Sequence, residues 1–357
     1  MRQNTPYIKL PIATDLYETA QILKADSRAN MALGELKGLA RTIPNQSILV
    51  NAIVLQEAKD SSEIENIITT DDELYEALNT STKTKSATKE VVNYRKAIFE
   101  GFDIIQDQEF LKLSDLVQIQ EIIIENKGGI RSTPGTVLKN DKTGEIVYTP
   151  PQDRDQILDL LANFLDNFNI KSDSIPPLIN LAILHHQFES IHPFYDGNGR
   201  TGRILNILFL SLNNLLDLPI LYLSSYLIEN KTNYYKFLNE VNKTGNWTNW
   251  ILYMLEAIKV TANKTVIKIE QIHTELNRVI DLTKTNAPKI YKKELIELIF
   301  EQPYCKIEYA VKALNIERKT ASRYLKTLET IGVLSSKKIG RETIFINNNL
   351  IQILKRH

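Results

Sequence analysis

Cysteine is nearly absent. Cys305 is the single one in 357 residues, so an internal disulfide framework and a cysteine-based zinc site are excluded. No apolar run approaches the ~20 residues that a membrane-spanning helix requires. The opening Met1-Arg2-Gln3-Asn4-Thr5-Pro6 has no apolar core of the kind a signal peptide carries. Cytoplasm is the expected compartment, with no membrane partner. The histidines are His185, His186, His192, His273 and His357, and none forms a His-Glu-x-x-His pair; the metalloprotease reading falls with that motif. Net charge is also missing, with 43 Lys+Arg against 43 Asp+Glu. The balance hides an asymmetry: residues 288–357 hold 14 Lys/Arg against 7 Asp/Glu, a net of +7, which leaves −7 for the rest. A basic tail domain on an acidic body suits a nucleic-acid contact and equally suits an ordinary solvated surface.

What is present reads mainly as helix. Apolar residues recur at helical spacing through Leu16, Ala20, Leu23, Ala25 and Ala29, then Leu33, Leu36 and Leu39. Ile43-Pro44-Asn45 breaks the pattern, and Ser47 is placed to cap the next helix, which is expected to end near Asp60. Helices resume near Asp72 and Lys85, and another fits Leu113 to Glu125. Residues 136–149 differ: Val137-Leu138 and Ile146-Val147-Tyr148 flank a polar turn ending in Gly144, a hairpin pattern. A lone hairpin is marginally stable, so it is expected to lie on the helical body as a flap. Ser174 and Pro176-Pro177 open a helix that delivers the chain to His192. A second helix starts near Gly199. Further helices fit Tyr234–Val241, Trp247–Leu255 and Ile258–Leu282, and Asn286-Ala287-Pro288 marks a domain boundary. Helices over Lys292–Glu301, Lys306–Leu314 and Arg318–Ile331, followed by a hairpin from Val333-Leu334 through Gly340 to Thr343–Ile346, predict a winged helix-turn-helix.

The chemistry concentrates in His192-Pro193-Phe194-Tyr195-Asp196-Gly197-Asn198-Gly199-Arg200-Thr201-Gly202-Arg203. The glycines permit a tight turn and a close ligand. The first amides of the following helix lack intrahelical acceptors and lie at the positive end of its dipole, a site suited to phosphates. Arg200 and Arg203 stand three apart on that helix, and the arginine fork matches phosphate oxygens. Asp196 supplies a hard oxygen for Mg²⁺. His192 titrates near neutral pH and can accept a proton from an attacking hydroxyl. Phe194 reads as an apolar anchor. Together these groups describe phosphoryl or nucleotidyl transfer.

The string resembles the signature of the Fic (Fido) family, His-Pro-Phe-x-Asp/Glu-Gly-Asn-Gly-Arg-x-x-Arg, at every fixed position. His186 and Phe188 upstream, with Tyr234-Tyr235-Lys236-Phe237-Leu238 and Gly245-Asn246-Trp247 downstream, extend the resemblance over most of residues 1–260. It implies a Fic helical bundle with a flap, and protein adenylyltransferase activity: AMP passes from Mg-ATP to a Ser, Thr or Tyr hydroxyl. His192 is then the general base and Asp196 the Mg²⁺ ligand. Gly197, Asn198, Gly199, Arg200, Thr201, Gly202 and Arg203 hold the phosphates, and Tyr235, Leu238 and Asn242 line the nucleoside pocket. The hairpin 136–149 pairs with the target protein by strand addition, which needs only a free backbone edge. Self-modification and a homodimer are further expectations.

Ser61-Ser62-Glu63-Ile64-Glu65-Asn66 is similar to the family's inhibitory motif, Ser/Thr-x-x-x-Glu-Gly/Asn. The resemblance implies that Glu65 pairs with Arg203 and withholds it from the γ-phosphate; Glu63 stands at the wrong place in the motif. The expected domains are 1–95 with the inhibitory motif at 61–66, a catalytic core at 96–260, a connecting helix and linker at 261–287, and a winged-helix domain at 288–357. Two alternatives remain in view. One is a Fic transferase of another phosphate-containing group. The other is a winged-helix DNA-binding regulator with a Fic sensor body, using Arg318, Lys319, Arg323, Lys326, Lys337, Lys338 and Arg341.

Overall fold

The computed structural model describes residues 7–43, 45–79, 85–139, 144–170, 175–339 and 342–355. The expectations placed on Pro44, the turn residues 140–143, Ser174, Gly340, Arg341 and His357 lie outside the described residues. The chain is mainly α. Its body runs α1 (Ala20–Ala40), α2 (Gln46–Ile64), α3 (Asp71–Asn79), α4 (Ser86–Gln108) and α5 (Leu113–Ile124). Then come the flap strands β1 (Leu138–Lys139) and β2 (Ile146–Tyr148), followed by α6 (Arg154–Asn169), α7 (Pro177–Ile191) and α8 (Asn198–Leu212). The body closes with α9 (Leu223–Glu229), α10 (Lys231–Thr244) and α11 (Thr248–Asn286).

Several expected boundaries move, each for a local reason. The cap of α2 is Asn45, whose side chain accepts from the Ser47 amide, rather than Ser47 itself. That helix runs past Asp60 to Ile64 because its polar last turns are buried and satisfied. Glu57 takes the Ser224 amide at 2.9 Å, and Asp60 takes the Tyr222 hydroxyl. The expected pause between Leu255 and Ile258 is absent, since both lie in the single 39-residue α11. The expected boundary at 260 falls within this helix, whose second half supplies the helical part of 261–287. Helix α6 is one the sequence pattern did not mark; its cap is Asp153, whose side chain accepts from the Asp155 and Gln156 amides.

Helix α8 is buried along nearly its whole length, among α2, α4, α5 and α7. Burying a polar first turn this deeply is tolerable only where its charges are matched, and the site lies there. Trp250 of α11 braces α7 from behind by donating to the Ala182 carbonyl at 2.7 Å.

Beyond Asn286 the chain forms α12 (Lys293–Glu301), β3 (Tyr304–Lys306), α13 (Ile307–Leu314), α14 (Arg318–Thr330), β4 (Ser335–Ile339), β5 (Glu342–Ile346) and α15 (Asn348–Lys355). The antiparallel sheet has the order β3-β5-β4. Three helices and a hairpin thus stand where the sequence pattern placed them, and β3 and α15 are additions it did not signal. The domain docks through α12 on α2 and α15 on α11. Tyr304 stacks on Tyr75 at 4.4 Å, and Lys268 of α11 donates to the Leu354 carbonyl at 2.9 Å. Among the described residues no helix is long and apolar enough to cross a membrane.

Candidate active site

Helix α7 ends on His192, whose φ of 48° puts it in the left-handed region. Its amide still closes the helix on the Phe188 carbonyl at 3.0 Å. This cap turns the chain sharply and leaves the imidazole, partly buried, beside the next turn. Phe194 is fully buried and anchors the loop. Asn198 spends its side chain bracing that turn: Oδ1 accepts from the Phe194 amide at 2.8 Å and Nδ2 donates to its carbonyl at 2.9 Å. Gly197 has φ 79°, and a Cβ there would come within 2.9 Å of Ile124; conformation and space both require glycine.

The first turn of α8 forms an anion cradle, and a carboxylate occupies it. Glu65 Oε1 accepts from Arg203 Nη2 at 2.9 Å and lies over Gly199, where a Cβ would collide with it. Arg203 is 2% exposed. It also donates through Nε to Ser61 Oγ at 2.7 Å and through Nη2 to the Ser61 carbonyl at 2.9 Å. Two residues of the same short motif therefore hold one arginine. Burial works against the charge on Glu65, but Arg203, Arg200 and Lys231 outweigh it and lower its pKa. Arg203 rises above its ordinary value despite its own desolvation. The backbone explains the last motif position: Asn66 has φ 62°, and among non-glycine residues asparagine reaches that region most readily. Lys231 adds a cation at the helix end by donating to the Ile64 carbonyl at 2.6 Å.

Arg200 is also buried, with Nη1 3.0 Å from Glu90 Oε2 and Nη2 3.7 Å from Asp196 Oδ1. The Asp196 side chain is 71% exposed at the mouth of the cradle, and its Oδ1 accepts from the Gly197 amide at 2.6 Å. Among the described residues no three His, Cys, Asp or Glu side chains gather as a metal cluster. One hard carboxylate beside a phosphate cradle still fits Mg²⁺, which takes most of its ligands from phosphates and water.

Burial, with Arg131 nearby, pushes the His192 imidazole down to about 4. It is neutral at pH 7 and free to accept a proton. Tyr235, Leu238 and Asn242 lie on α10 at i, i+3 and i+7, one helical face. Asn242 Oδ1 accepts from Ser190 Oγ at 3.2 Å, which brings that face to the end of α7, two residues before His192. The flap strands pair antiparallel, Leu138 with Tyr148 and Lys139 with Ile146.

Three further residues carried no signal in the sequence. Arg131 is fully buried and donates through Nε to the His192 carbonyl at 2.7 Å. Its Nη2 donates to the carbonyls of Ile191, at 3.3 Å, and Pro151. One guanidinium thus ties the His192 turn to Pro151, just past the hairpin. Gln152 secures the flap itself, accepting from the Gly135 amide at 2.6 Å and donating to the Thr136 carbonyl at 2.9 Å. Glu189, raised by burial to about 7 with Arg203 opposing, lies where a Gly202 Cβ would approach its Oε1 to 2.7 Å. Arg131→Met is expected to cost about 2–4 kcal/mol by orphaning buried carbonyls. A loss below about 1 kcal/mol in urea unfolding would mean that water or the backbone replaces those donors.

The fold and site define a helical protein with two buried arginines on the first turns of α8 and a strand hairpin between α5 and α6. Residues 110–210 match the Fic/DOC family, 23–103 the Fic/DOC family N-terminal region, and 276–350 the C-terminal domain of protein adenylyltransferase SoFic-like proteins. The chain belongs to the Fic/DOC family. It is similar to the protein adenylyltransferase Fic of Drosophila willistoni, 27% identical over 227 residues, which is 58% of this chain and 43% of that protein. It is also similar to that of Nematostella vectensis, 27% identical over 146 residues, or 39% of this chain and 30% of that protein. The chain thus spans less than half the length of these curated relatives. A crystal structure of a Fic family protein from Desulfovibrio desulfuricans shares the fold, with a TM-score of 0.59 at 19% identity, covering 95% of this chain and 97% of that one.

Proposed function

We propose that this protein is an adenylyltransferase that moves AMP from Mg-ATP to a hydroxyl side chain of a protein, and that Glu65 restrains it. The observation that carries this reading is the cradle on α8, with a neutral histidine at its lip and a carboxylate where an anion belongs. The similarity to proteins named as adenylyltransferases supports adenylyl transfer in particular. ATP would lay its phosphates on the amides after Gly197, with Arg200 and Arg203 balancing charge. The nucleoside would lie toward Tyr235, Leu238 and Asn242. The target hydroxyl attacks the α-phosphorus, His192 takes its proton, and pyrophosphate leaves. Mg²⁺ held by Asp196 would neutralise phosphate charge. The rest is positioning and preorganised charge. The flap edge would hold the target segment by strand addition.

Mass spectrometry of the protein, wild type and Glu65→Gly, after incubation with Mg-ATP tests the reading. Addition of one adenylyl group to the chain or to an added protein is the expected result. A uridylyl adduct formed from UTP in preference would select the transferase of another phosphate-containing group. No nucleotide adduct from either variant would leave a binding or sensing role for the body.

The pH profile follows from the depressed histidine. With His192 near 4 in the free protein, the proton-accepting form persists far below the ordinary imidazole range. The acid limb of kcat/KM, which reports the free enzyme, is expected near pH 4–5. An acid limb at about 6.5, the unperturbed imidazole value, would show that the base is solvated or is another group.

A further inference from the structure

We infer that the C-terminal domain is a duplex-DNA-binding surface, with α14 entering the major groove and the β4–β5 wing on the backbone. The inference is independent of the transferase reading. It starts from how the domain is mounted. Helices α12 and α15 are used against the body, while α14 packs on α13. Its inner stripe, Ala321, Leu325 and Leu328, is buried. Its outer stripe is Arg318, Lys319, Arg323 and Lys326, all exposed at a spacing that keeps them on one side of the helix. Lys337 and Lys338 are exposed on the adjoining strand β4.

Among the described residues none of these six cations is held in an ion pair with a carboxylate. Of the nearby acidic groups, Glu308 pairs with Lys312 at 3.0 Å and also faces the charge of Arg318, Glu342 pairs with Lys306, Glu317 sits at the N-terminal cap of α14 and Glu329 lies near its C-terminal end. Four exposed cations along one side of α14 and two more on β4, none in an ion pair and all in a domain with a net charge of +7, match the counterion-rich backbone of a duplex. A protein partner fits less well. Protein interfaces centre on apolar and aromatic anchors and are poor in lysine. Among the described residues the large exposed apolar side chains run from Leu23 to Ile267, and none lies in this domain. The geometry also suits DNA, because a major groove about 12 Å wide admits an α-helix of about 10–12 Å. The deep, narrow major groove of an RNA duplex does not.

The experiment uses the full chain and a fluorescein-labelled DNA duplex of random sequence, about two helical turns long, followed by anisotropy. At low salt the dissociation constant is expected at about 10⁻⁴–10⁻⁶ M, weakening steeply between about 50 and 200 mM salt. The double variant Arg323→Ala/Lys326→Ala should weaken binding at least about tenfold and reduce the salt slope by about 2. Circular dichroism and nucleotide-adduct formation should be unchanged in that variant. Absence of salt-sensitive binding by the wild type overturns the inference. So does binding that the double variant leaves intact, or an RNA duplex of the same sequence bound equally well.

Discussion

His192→Ala is expected to lower AMP incorporation by about 10²–10⁴-fold, the range typical of a positioned general base, while ATP binding stays close to wild type. The reason is a division of labour in the proposed site. The groups proposed to bind phosphate sit on α8: the amides after Gly197, Arg200 and Arg203. His192 belongs to the end of α7, and its carbonyl rather than its ring carries the loop's structural bond, from Arg131 at 2.7 Å. Truncating the ring removes the proton acceptor without cutting that bond. The comparison should be made in a Glu65→Gly background, so that a restrained wild type does not mask the loss. Measuring adduct formation and nucleotide affinity on one preparation separates the two roles. Retained transfer would dismiss His192 as the base, and loss of both transfer and binding would make it part of the loop's scaffold.

Glu65→Gly should act in the opposite direction and raise AMP incorporation about 10–100-fold. The estimate comes from the strength of a charge-assisted hydrogen bond, roughly 1.5–3 kcal/mol, at about 1.4 kcal/mol per tenfold. It is held to that range because 35% of the Glu65 side chain stays exposed, so water already screens part of the contact. Arg203 keeps its two bonds to Ser61 in the variant, at 2.7 and 2.9 Å. The arginine is therefore expected to remain oriented while losing its carboxylate, which separates release of restraint from loss of structure. Incorporation no higher than wild type with ATP bound would remove Glu65 from the regulatory reading.

Much of this site could be read in the sequence, because it is continuous in the chain. The loop from His192 to Arg203 combines residues whose roles depend on local geometry: glycine where φ is positive, small residues where a ligand approaches, arginines one turn apart. Glu65 is the distant exception. It became readable only as part of a motif with Ser61, and the structure gives that spacing a physical basis: both residues reach Arg203 from the last turns of α2. What stayed hidden depends on tertiary burial. Nothing local distinguishes Arg131 from a surface arginine, yet it is fully buried among three carbonyls. The extension of α2 past Asp60 has the same origin, since four polar residues, Glu57, Asp60, Ser61 and Ser62, are satisfied or covered by other helices. Helix α11 looked broken after Leu255 because periodicity counts apolar residues, yet one buried stripe runs its whole length through Ile251, Ile258, Thr265, Ile272, Val279 and Thr283, and it includes threonines that such a count passes over.

The Glu65–Arg203 contact joins two parts of one chain, 138 positions apart. A competitor for Arg203 thus meets a rival whose local concentration is fixed by the fold, at millimolar or above for groups held within one chain. Dilution of the protein leaves that rival where it is, as would not happen with an inhibitor bound from solution. Under the proposed restraint, the balance between carboxylate and phosphate would be set by the ligand's own concentration and by anything that tilts the end of α2, and not by how much of the protein is present.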